Sequence, residues 1–180
     1  AMTNAKIIEQ TTNWIKSVVI DCNFCPFAAK AVLKKTIRYI IKSDVDMNDS
    51  ILALKEELEH LDTDTEIETS FIIFPNNFSV FDDYLDLVNK AERFIKKEGY
   101  EGVYQIASFH PDYCFAGEDE NDPANYTNRS IYPMLHILRE ESLTKALSLF
   151  PDPENIPHRN IEFARKKGLQ YMQLLRSACL

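Results

Sequence analysis

TIRYIIK, residues 36–42, decides how this chain is read, because its β-branched and aromatic side chains predict a strand. The same character returns in ETSFIIF (68–74) and VYQIASF (103–109). Between these runs the apolar residues fall at helical spacing instead. Ile51, Leu54, Leu58 and Leu61 mark one amphipathic helix, and Phe81, Leu85, Val88, Ala91 and Ile95 mark another that Gly99 closes. Strand, helix, strand, helix, strand with short links is the pattern of right-handed crossovers. The expectation is an α/β fold around a small, mostly parallel sheet of about three strands.

Ahead of the first strand, Ile7, Ile8, Trp14, Ile15, Val18 and Val19 recur as on a helix, behind a Thr3 or Asn4 cap. Behind the last strand comes HPDYCFAGEDENDPANYTNRS (110–130), a loop with no periodicity of its own. Loops this long in compact domains are more often functional than idle. Beyond it the signals are helical: Pro133 as a helix start with Leu135 and Leu138 on one face, then Leu143 and Leu147, then Pro157 opening a helix, and Gly168 as a break. The last quarter is therefore expected to be an all-helical segment packed on the sheet. No repeat, low-complexity tract or linker interrupts the chain, so residues 2–180 read as a single domain, with Ala1 ahead of Met2 as a residue left by tag removal.

The 180 residues carry a net charge of −8. Nucleic-acid binding through phosphates and attraction to acidic membranes both need the opposite sign, so neither partner is expected. No apolar run approaches the roughly 20 residues that span a bilayer, and no signal-type apolar core opens the chain. A cytoplasmic home is expected, in which the four cysteines are thiols rather than a disulfide framework.

Three motifs carry a resemblance: CPFA (25–28), FHPDY followed by FAG (109–117), and NYTNRSIYPMLHILRE (125–140). Their order and length resemble the domain-of-unknown-function 1415 family of mainly bacterial proteins. The resemblance covers Cys25, Pro26, Phe27, His110, Pro111, Asn125, Asn128, Arg129, Ser130, Pro133 and His136. It brings no reaction with it. It also implies that the positions of Cys22 and Cys114 are not typically cysteine.

The chemistry therefore has to be read from the residues. Cys22, Cys25, His110 and Cys114 formally make a tetrahedral zinc set, but half of it departs from the family pattern, and no metal is expected. CNFCPF follows a helix rather than a strand, the wrong order for a thioredoxin-type dithiol. Cys25 then reads either as a nucleophile with His110 as its acid or base and Asp112 orienting the imidazole, or as a packed thiol in a tight turn. Asn125, Asn128 and Arg129 offer donors, acceptors and a planar fork to an anion, with Ser130 capping the helix expected from Pro133 and His136 on that helix facing the same crevice. Alternatively the asparagines satisfy loop backbone and Arg129 pairs with the acidic run Glu118–Asp122. That run lacks the glycine and terminal glutamate of a calcium loop, and no dinucleotide, phosphate-loop or metalloprotease motif is present, so no cofactor is expected. Two functions follow: an enzyme acting on a small anionic metabolite at the carboxyl ends of the strands, or a noncatalytic protein-interaction module whose polar loop is structural. The sequence leaves the oligomeric state open.

Overall fold

In the computed structural model, which describes residues 2–180, the three strands lie where the sequence places them: β1 (Ile37–Ile41), β2 (Thr69–Ile73) and β3 (Tyr104–Phe109). A fourth strand, β4 (Met134–Arg139), occupies the segment expected to begin the C-terminal helices. The sheet order is β1-β2-β4-β3; only β1 and β2 run parallel, and β4 pairs antiparallel with both β2 and β3. The expected mostly parallel, three-stranded sheet is thus corrected to a four-stranded mixed one. The reason is visible in MLHIL: Met134, Leu135 and Ile137 are all buried, so the segment lacks the alternation that marks a half-exposed strand. The long loop after β3 also frees the chain to return in either direction.

Helix α1 (Asn4–Trp14) begins as expected at Thr3, whose hydroxyl accepts the Lys6 amide, and runs into a π-helical stretch, Ile15–Ile20. A short helix, α2 (Ala28–Leu33), follows the Cys22–Phe27 turn. Helices α3 (Met47–Thr63) and α4 (Phe81–Lys97) form the crossovers. The C-terminal part supplies α5 (Glu140–Leu147), α6 (Ile156–Lys167) and α7 (Leu169–Ser177), with Gly168 breaking the last two at φ +91°.

Two apolar cores lie on opposite faces of the sheet. Alternate residues Ile37, Tyr39, Phe71, Ile73 and Met134 pack with α1, the π-helix, α6 and α7. Their neighbours Ile72, Leu135, Ile137 and Tyr104 pack with Leu54, Leu58 and Leu61 of α3 and Leu87, Val88 and Ala91 of α4. Full burial of each such leucine contributes roughly 2 kcal/mol. Polar groups lock the layers together. The Tyr84 hydroxyl of α4 accepts the Phe109 amide at 2.9 Å and donates to the Met134 carbonyl at 2.6 Å, closing the last rung between β3 and β4. Buried Glu57 of α3 accepts from Arg38 of β1 at 2.9 Å and from Ser70 of β2 at 2.7 Å.

Candidate functional site

β1, β2 and β3 all point the same way, so the loops after them meet at one edge of the sheet. His110 stands there, fully buried beside the rings of Phe81 and Tyr84. Its ring partners fix its proton. The Asp112 amide can only donate, so Nδ1 accepts it at 2.9 Å; the proton therefore sits on Nε2, which donates to the Phe78 carbonyl at 2.7 Å. Both nitrogens are occupied, and burial pushes the imidazole pKa down, outweighing the hydrogen bond to Phe78. Phe78 itself sits at φ +61°, a conformation that few bulky residues adopt, and the His110 bond helps hold it there. Asp112 meets His110 through its backbone amide; the orienting carboxylate expected from the sequence is not what the imidazole receives.

Cys25 belongs to the other face. It is half-buried against the core that contains Trp14, Val18 and Phe24, and burial raises its pKa although the Phe27 and Ala28 amides oppose that rise. Among the described residues no hydrogen bond or ring contact joins it to His110. Cys22, three residues earlier and buried, has its thiol pKa pushed up to about 11, mainly by burial. All four thiols are free, and among the described residues no three His, Cys, Asp or Glu side chains stand close enough together to hold a metal ion.

The loop residues are turned inward on the loop itself. Asn125, fully buried in the middle of the 3-10 turn Pro123–Thr127, accepts the Phe115 amide at 2.9 Å and donates to the Asp119 carbonyl at 2.9 Å. Asn128 donates to the Ser108 carbonyl at 3.0 Å and accepts from Thr127 at 2.8 Å. Arg129 lies over the Tyr126 ring at 4.9 Å and donates through Nε to the Tyr113 carbonyl and through Nη2 to the Glu120 carbonyl. The acidic run is held by a residue that sequence reading passed over: Arg165 of α6 pairs with Asp122 at 2.8 Å and Glu118 at 3.5 Å. That pairing lowers the Asp122 pKa.

Ser130 caps no helix, since none begins at Pro133. Its hydroxyl donates to the Tyr132 carbonyl at 2.6 Å, and its own carbonyl receives Arg176 of α7, another residue unmarked in the sequence. His136 lies on β4 rather than on a helix, stacked 4.0 Å from Phe71. The Thr69 hydroxyl donates to the Ile137 carbonyl, so its oxygen accepts the His136 Nε2 proton at 2.8 Å. Burial pushes the His136 pKa down to about 3.

A family model described as a protein of unknown function, DUF1415, matches residues 6–174, and the chain belongs to that family. Comparisons with curated proteins and with solved structures find no match. No helix among the described residues is long and apolar enough to cross a membrane.

Proposed function

We propose that this chain is a noncatalytic protein-interaction module of the bacterial cytoplasm whose polar loop is scaffold rather than reaction chemistry. One observation carries the reading: the side chains of His110, Asn125 and Arg129 make hydrogen bonds to backbone groups of the loops around them, and Asn128 ties the loop to the Ser108 carbonyl of β3. A catalytic histidine or a ligand-binding amide would present part of that capacity outward, whereas His110 and Asn125 have both polar ends of their side chains bonded to backbone. A thiol with a raised pKa and a histidine with a lowered one also run against nucleophile activation, which needs a stabilised thiolate and a base that can take its proton.

Arg129→Lys tests the reading. A lysine ammonium cannot reach both carbonyls in the geometry of the guanidinium fork or stack as a plane on Tyr126. The expected result is a loss of about 1–2 kcal/mol in denaturant unfolding, with faster amide exchange across residues 113–120. A ligand-binding arginine would give unchanged or raised stability, as residues kept for binding commonly do.

A further inference from the structure

Helices α3 and α4 leave a shallow groove of about 600 Å³ between them, lined by Ile51 of α3 and by Lys90, Arg93, Phe94, Lys96 and Lys97 of α4. Four cations around two apolar side chains stand out in a chain of net charge −8. Among the described residues none of the four forms a salt bridge or a side-chain hydrogen bond, although the chain contains 28 acidic residues.

Helix electrostatics explain part of this. Asp82 and Asp83 occupy the first turn of α4 and Lys96 and Lys97 the last, which suits the macrodipole. Lys90 and Arg93 lie outside that last turn, where the dipole's effect has fallen off. With Phe94 and Lys97 they make an i, i+3, i+4, i+7 stripe beside the groove.

We infer that this groove docks an acidic amphipathic helix of a partner protein. Such a helix lays large apolar residues on Ile51 and Phe94 while flanking glutamates or aspartates meet the four cations, a helix-in-groove arrangement. A nucleic-acid backbone would use the cations and leave the apolar floor idle, and the negative charge elsewhere on the chain would repel a polyanion longer than the groove. The inference rests on the interaction-module reading and supplies the chemistry of the partner.

A fluorescein-labelled peptide of about 16 residues, long enough for roughly four helical turns, with leucines on one face and glutamates flanking them, is the probe. Binding is read by anisotropy with the full chain at low salt. The expected result is saturable binding that weakens with salt, falls at least roughly tenfold for Lys90→Glu/Arg93→Glu, and is lost for a peptide of the same composition in shuffled order. All the groove cations are exposed, so the double variant keeps its fold; Lys90→Gln/Arg93→Gln serves if it does not. No saturable binding, equal binding by the shuffled peptide, equal binding by the charge variants, or tighter binding of a single-stranded oligonucleotide would each overturn the assignment. These failures leave the scaffold reading of the loop standing, because that reading is measured by the stability of Arg129→Lys.

Discussion

Between about pH 7.5 and pH 5 the protein is expected to lose stability as the pH falls, and His136→Phe should remove about 2 kcal/mol of that loss. The sign follows from the direction of the shift. An unfolded histidine takes up a proton as the pH falls through 6.5, whereas burial holds His136 in the fold neutral down to about 3. In that interval the unfolded chain binds one more proton than the fold at this residue, so each pH unit costs about 1.4 kcal/mol through His136. His110, also lowered by burial, adds to the slope from the same starting point. Phenylalanine keeps the stack on Phe71 and leaves the Thr69 hydroxyl its bond to the Ile137 carbonyl. The Asp122 carboxyl, lowered by Arg165 from an ordinary value of 3.8, contributes stability that is lost only below that value, so its window is separate. Denaturant unfolding of both proteins at several pH values gives the comparison. Parallel curves would mean that His136 is already charged in the fold.

Asn125→Ala is expected to cost about 2–3 kcal/mol. The substitution removes one acceptor and one donor from a fully buried position, and a methyl group replaces neither. The Phe115 amide and the Asp119 carbonyl both lose this partner, and the cost of leaving them unpaired falls on the folded state. Asn125→Asp tests the two halves apart: it retains an acceptor for Phe115 but places a carboxylate against the Asp119 carbonyl. Both variants should unfold earlier than the parent, with Asn125→Asp losing more if the new carboxylate stays charged. A midpoint unchanged by Asn125→Ala would show that the loop is held by something other than this side chain.

How far the sequence could be read depended on whether a residue's partner was local. TIRYIIK, ETSFIIF and VYQIASF were legible as strands and the α3 and α4 stripes as helices because periodicity is a local signal. MLHIL was not, since a strand buried on both faces looks like any apolar run and Pro133 suggested a helix start. Placing β4 between β2 and β3 reverses the expected direction of pairing and moves His136 from a helix facing a crevice to a stack on Phe71. The loop showed the same limit. Its asparagines and Arg129 were marked out by residue type, yet their partners are backbone groups up to 20 residues away, and the acidic run is answered by Arg165, 43 residues beyond Asp122. The cation stripe of α4 is present in the sequence, but only packing beside Ile51 turns it into a groove.

The noncatalytic reading stands or falls on the state of Cys25. Iodoacetamide labelling at increasing denaturant, with each cysteine followed separately by mass spectrometry, measures it directly. A packed thiol with a raised pKa labels only as the chain unfolds, and at the same rate in His110→Phe once stability is matched. Rapid labelling of Cys25 in native buffer, with an apparent pKa below the free value of about 8.5 and a slower rate in His110→Phe, would contradict it and restore a nucleophile to this chain.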